Sequence, residues 1–186
     1  MKKLLVFGFL LLSSGILTGQ SRFQTAEGNI RFNASSPLED IKAENSKTSA
    51  IIDGRTGELA VVLLVKDFQF RRKLMQEHFN ENFMESHIHP KAVFSGKLQG
   101  FSPETLGSMP TSLPLLGEIT IHAVRRPLET PVQLKKVGET LYLSATFIIA
   151  PEDHNIEVPK ILFNKIAEEV TVDVNLILQP KTGSGQ

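Results

Sequence analysis

Residues 140–149 alternate: Leu141, Leu143, Ala145, Phe147 and Ile149 are separated by Tyr142, Ser144 and Thr146, with Ile148 the one apolar residue between them. Val170, Val172, Val174, Leu176 and Leu178 repeat the pattern between Glu169, Thr171, Asp173 and Asn175, and Ile30, Phe32 and Ala34 repeat it between Asn29, Arg31 and Asn33. Successive side chains of a strand point to opposite faces, so a strict period of two marks a strand with one buried side. Three such runs within one modest chain point to an all-β architecture.

Five further segments read as strands: 47–53, 58–66, 91–101, 118–124 and 128–137. Turn signals separate them, with Asp53-Gly54 to Gly57 and Val137-Gly138-Glu139 closing hairpins and Arg126-Pro127 bending the chain. Eight antiparallel strands with short connections suffice to close a sheet on itself. In the third strand Leu59, Val61, Leu63 and Val65 face one way, but Ala60, Val62 and Leu64 make the other face dry as well. The segment that follows, with Met75, Phe79 and Phe83 at helical spacing, is the candidate cover for that outer face. The predicted fold is therefore an eight-stranded antiparallel barrel with a short helix packed against it. Ser102–Pro114, an apolar loop with three prolines, and Pro151–Pro159 are candidate rims, and a helical turn is expected at Lys160–Ile166.

The first twenty residues have the order of a secretory leader: Lys2 and Lys3, an apolar run from Leu4 to Leu12, then small and polar residues. The apolar run is too short to span a bilayer. The expected organisation is a signal peptide at 1–20, a barrel domain at 21–179 and a flexible tail at 180–186, with the mature protein periplasmic or secreted and without an integral membrane span. The sequence contains no cysteine, which excludes a lipid anchored on cysteine, a disulfide framework and thiolate chemistry. The 20 basic and 20 acidic residues balance, and loss of Lys2 and Lys3 with the leader leaves a small acidic excess. Nucleic acid is not an expected partner at that balance.

Catalytic signatures are missing. No serine sits in a G-x-S-x-G elbow and no H-E-x-x-H occurs, Asp153-His154 reads as turn chemistry, and the neighbouring Glu168 and Glu169 point to opposite faces. The chain is expected to be no enzyme and to need no cofactor. His87 and His89 lie two apart and, with His78 or His122, suggest Zn²⁺ or Cu²⁺; the spacing fixes no complete ligand set, and no metal is assigned. Arg71, Arg72 and Lys73, like Arg125 and Arg126, read as solvated charges or as contacts for an anionic headgroup. The absence of Trp and the single Tyr argue against the aromatic girdles of an outer-membrane barrel.

A small barrel either fills its interior or leaves a cavity for an elongated apolar molecule. Strand parity nominates Phe32, Phe94, Ile119, Ile121, Leu143, Phe147, Val172 and Val174 as the interior wall. A register slip of one residue reverses the assignment of any strand.

Several stretches resemble the YceI-like family of bacterial exported lipid-binding proteins: FNASSPLEDIKAEN, FRRKLMQEHFNENFMES, HPKAVFSGKLQG, GEITIHAVRRP and DHNIEVPKILFNKIAEEVTVDVNLIL. The resemblance runs from about Arg22 to Leu178. Its most specific piece is Gly117–Pro127, similar to the family's G-x-L-T-I-H-G-V-T-R-P. Ala123 stands where the pattern has Gly, Arg125 where it has Thr, and Gly28-Asn29 replaces a usual His-Ser. His89 stands before Pro90, where an aromatic is common. The resemblance implies a lipocalin-like barrel whose interior holds a long-chain apolar lipid, polyisoprenoid or quinone-like, for transport, storage or envelope stress response. The alternative is a filled barrel serving as a structural or protein-interaction module in the envelope; a homodimer stays open.

Overall fold

Each alternating run forms a strand, and the strands pair antiparallel until the sheet returns to its start. The computed structural model describes residues 22–157 and 166–181. Its elements are β1 (Arg22–Ser35), β2 (Lys42–Asp53), β3 (Glu58–Leu64), β4 (Gln69–Phe70), α1 (Lys73–His78), β5 (Lys91–Leu98), β6 (Thr111–Ile121), β7 (Val124–Val137), β8 (Thr140–Ile149) and β9 (Ile166–Pro180). The sheet runs β1-β9-β8-β7-β6-β5-β3-β2, and β2 pairs back onto β1 to close an eight-stranded barrel. The two-residue β4 adds only Ala43–Phe70 and Glu44–Gln69 to the edge of β2.

Alternation holds residue for residue in β8 and β9, where every odd position from Leu141 to Ile149 and every even position from Val170 to Leu178 faces inward. In β1 and β2 the parity changes midway. Phe23 is buried at an odd position, but Gly28, Ile30 and Ala34 are buried at even ones, because the register shifts on either side of Gly28. Such a bulge adds a residue to one strand and bends it. A Cβ on Gly28 would lie 2.5 Å from Leu176 Cδ2, so the bend brings β1 close to the interior. In β2 burial switches from Ala43 and Asn45 to Thr48, Ala50 and Ile52. The Asn45 side chain donates to the Leu64 carbonyl at 3.0 Å and accepts from Lys47 N–H at 2.9 Å.

The two ends of the barrel differ. At the end where β2 meets β3, Phe23, Ile52, Leu98, Val132, Leu134, Leu141 and Leu178 are all at most 3 % exposed and fill the cross-section. Burial of side chains this size contributes roughly 1.5–3 kcal/mol each, and this packed floor is the main apolar core. The other end carries α1, the 151–154 turn and the β6–β7 turn.

Four sequence expectations change here. The turn between β6 and β7 is made by His122 and Ala123, with φ of 50° and 60°, so Arg126-Pro127 lies inside β7 rather than at a bend. The positive φ of both residues matches the two-residue hairpin turn whose twist suits flanking strands; the absence of glycine hid it. Residues 111–114 of the proline-containing loop belong to β6, with Pro114 opposite Pro131, and that loop closes the floor end, not the open mouth. The helix does not cover the outer face of β3. It is α-helical only over Lys73–His78 and continues as a wider π-type turn through Phe83, and Met75, Phe79 and Phe83 turn toward the barrel interior. The last strand extends through Pro180, which pairs with Phe23. The expected leader, the helical turn at 160–166 up to residue 165, and the tail beyond 181 lie outside the described residues.

Candidate functional site

Above the packed floor the barrel is hollow. A cavity of about 540 Å³ lies within the range of roughly 300–1,000 Å³ usual for small-molecule sites. Among the described residues that line it, only Glu39, His78 and Thr130 are polar. Leu74 belongs to the wall and is also 61 % exposed, which places the mouth beside α1.

The eight side chains nominated by strand parity, Phe32, Phe94, Ile119, Ile121, Leu143, Phe147, Val172 and Val174, all lie on the cavity wall. Phe94 pairs across strands with Ile119, Phe147 with Val172 and Phe32 with Val172 from the other side. They thus form two cross-strand patches of the wall, one on β5 and β6 and one running from β8 through β9 to β1. Cross-strand neighbours on one face lie about 4.5–5.5 Å apart at Cβ, so within each patch the side chains present a contiguous apolar surface to the cavity.

Sequence reasoning missed the aromatic group near the mouth. Phe32 meets Phe68, Phe70 and Phe79 with ring centroids 5.2, 5.7 and 5.4 Å away, and Phe79 also lies 5.0 Å from Phe70. These rings come from β1, the 65–70 segment and the turn after α1. Offset and edge-to-face aromatic pairs contribute about 0.5–1.5 kcal/mol beyond area burial, so the cluster pins α1 over the opening. Phe68 and Phe70 stand in the short link between β3 and α1, where no sustained period marks an inward face.

Polar groups gather at the rim. Glu39 forms an ion pair with Arg72 across the mouth. Arg126 lies on the inward parity of β7 opposite Ile119, but at the rim its Nε donates to the Asp153 carbonyl at 2.7 Å. Arg125 points outward, 3.4 Å from Glu118, with both side chains well exposed. The Asp40 carboxyl is held below the usual carboxylate range by hydrogen bonds from Lys42 and then Ser35. Glu44 is lowered in the same direction by Arg31 and then Asn29.

The histidines separate. His87 is exposed and His78 lines the cavity, whereas His89 and His122 meet edge to face with centroids 4.2 Å apart. His154 is 2 % exposed and its Nδ1 donates to the Val124 carbonyl at 3.2 Å. Asp153-His154 is thus a structural turn, and Glu168 and Glu169 are exposed. Among the described residues no helix is long and apolar enough to cross a membrane.

The model of the YceI-like domain matches residues 10–178. No curated protein matches the sequence. Among solved structures, a polyisoprenoid binding domain from Saccharophagus degradans superposes with a TM-score of 0.76 at 12 % identity, covering 87 % of this chain and 99 % of that one. Burkholderia cenocepacia BcnA gives a TM-score of 0.70 at 16 % identity, covering 82 % and 96 %. The Campylobacter jejuni YceI protein gives 0.61 at 13 %, covering 77 % and 86 %. At these identities the likeness is one of fold.

Proposed function

This chain belongs to the YceI-like domain family, and from that premise and its hollow apolar barrel we propose that it is an exported, non-catalytic carrier of a long-chain lipid of the polyisoprenoid or quinone-like class. The observation that carries the reading is the wall itself: a cavity of about 540 Å³ with three polar side chains among the described residues of its lining. Such a surface offers a guest area and shape but almost no hydrogen bonds. Each methylene moved from water contributes about 0.8 kcal/mol. Ten buried carbons therefore contribute about 8 kcal/mol, equivalent to a micromolar Kd before the cost of ordering the chain. The relative from Saccharophagus degradans, described as a polyisoprenoid binding domain, supports the same ligand class.

In this arrangement the apolar tail lies between Phe94, Phe147 and Val172. A polar headgroup stays at the mouth, where Glu39, Arg72 and His78 supply charge and hydrogen bonds. Transport, storage and an envelope stress role all require the same reversible loading.

Native mass spectrometry of the mature protein from an exporting host, followed by organic extraction, tests the proposal. A discrete added mass in the range of a prenyl or acyl lipid is expected. A bare protein mass that stays unchanged after incubation with prenyl lipids would overturn it and turn attention to the barrel's outer surface as a protein-binding module.

A further inference from the structure

Beside the mouth, outside the cavity lining, Glu85, His89 and His122 bring a carboxylate and two imidazoles together. One ligating atom from each lies within 4.8 Å of the other two, and all three residues are partly buried. They come from three places in the chain: the turn after α1, the residue before Pro90, and the β6–β7 turn.

Hydrogen bonding fixes the chemistry of the His122–Glu85 pair. His122 Nδ1 lies 3.2 Å from the His154 carbonyl, which only accepts, so Nδ1 carries the proton. A neutral imidazole then presents a bare lone pair at Nε2. That lone pair faces Glu85 Oε2 at 3.1 Å, and a carboxylate oxygen is again an acceptor. Two acceptors opposed at this distance need positive charge between or upon them. A second ring proton supplies it, and so does a metal cation. The separation is close to the edge of a zinc coordination tetrahedron, about 3.3 Å for bonds of roughly 2.0–2.1 Å. The His122 to His154 contact is also the outer-shell bond that orients metal-binding histidines, from the far ring nitrogen to a carbonyl. His154 is itself fixed by its bond to Val124. Two of the three residues, Glu85 and His122, have φ of 42° and 50°, a conformation uncommon outside glycine.

We propose that Glu85, His89 and His122 form a binding site for a divalent transition metal of the zinc type, with a fourth position open to water. Two imidazoles and one carboxylate suit Zn²⁺ and its borderline neighbours, whereas Mg²⁺ and Ca²⁺ prefer all-oxygen shells. The neighbouring Met84 and Ile121 line the cavity, and His154 ties the same group to the 151–154 turn. A bound ion therefore clamps three parts of the rim to one another.

Calorimetric titration of metal-stripped mature protein with Zn²⁺, paired with thermal unfolding, tests this. One equivalent should bind and raise Tm, while Ca²⁺ should do neither. His89→Ala and Glu85→Gln should each weaken Zn²⁺ binding by more than the roughly 10–100-fold that loss of an outer-shell partner causes. His89 makes no hydrogen bond to the rim through its ring among the contacts described, so His89→Ala is the variant expected to stay folded, with circular dichroism as the check. His87→Ala and His78→Ala should bind Zn²⁺ as the parent does. Absence of Zn²⁺ heat and of any Tm shift would overturn the site, as would binding that survives His89→Ala together with Glu85→Gln or that is lost with His87.

Discussion

Gly96 and Gly117 stand opposite each other across β5 and β6, and the Phe94 ring takes the space that side chains at those positions would occupy. A Cβ on Gly96 would lie 2.5 Å from Phe94 Cζ, and one on Gly117 would lie 2.7 Å from it and would also strike the backbone of Ser95 and Gly96. The glycine pair thus lets an aromatic ring lie down along the cavity wall. Gly117 opens the most family-specific stretch of the sequence, and this packing gives that glycine a physical reason.

Gly117→Ala is expected to destabilise the protein by about 1–3 kcal/mol, the usual range for forcing extra volume into a packed interior. Urea unfolding with an unchanged m-value checks it. Full stability in the variant would mean that β5 and β6 separate freely and that the close approach is not required.

Ala123→Gly should act in the opposite direction. Ala123 holds φ of 60°, a left-handed conformation that costs an L-residue roughly 1–2 kcal/mol and glycine almost nothing. Part of that gain is offset by the greater freedom of glycine in the unfolded chain. A net stabilisation of about 0.5–1 kcal/mol is expected, read as a small rise in Tm on calorimetry.

Phe147→Asp places a charge on the wall opposite Val172. An unpaired carboxylate in that apolar surround is strongly disfavoured, so lipid uptake should be lost and thermal stability lowered. Retention of tight lipid binding by this variant would remove the barrel interior as the binding site.

Acid should weaken the fold through four carboxylates. Asp40, Glu44, Asp53 and Glu104 are each held below their ordinary values, Asp53 chiefly by the backbone N–H groups of Arg55 and Thr56 and Glu104 chiefly by Ser102. A carboxyl lowered on folding contributes stability that is present above its unfolded value, about 4, and is lost as pH falls through its folded value. Unfolding midpoints should therefore be flat from neutral pH to about pH 5 and decline below about pH 4. Asp53→Asn retains an acceptor oxygen for the turn and should reduce that decline while leaving the rest of the curve alike.

The barrel was legible because inward and outward positions differ in polarity over long runs, as in β8 and β9, where only Ile148 and Ile177 among the described residues put a large apolar side chain outside. Parity alone put Phe147 and Val172 on one wall. It failed where the chain leaves its period: Asn45 is fully buried and spends its amide on Leu64 and Lys47, so the first part of β2 did not read as strand. His122 and Ala123 turn the chain without glycine, and Arg126-Pro127 therefore attracted the bend. Nor does local sequence bring Glu85 beside His122, residues 37 apart. Only closure of the sheet places the turn after α1 next to the β6–β7 turn. His87, two positions from His89, misleads because that spacing puts two side chains on one face only in an extended strand, and the chain instead turns before Lys91.

The packed floor makes the barrel a ruler. Val132, Leu134, Leu141 and Leu178 are fully buried and cannot withdraw without opening a void, for which a core pays several kcal/mol per large side chain. The depth available to a guest is thus set by side chains that never need to recognise its chemistry. Any segment longer than that depth must fold back against the phenylalanines or protrude past Leu74. For the lipid guest proposed above, selectivity for chain length would follow from where the plug ends, independently of its headgroup.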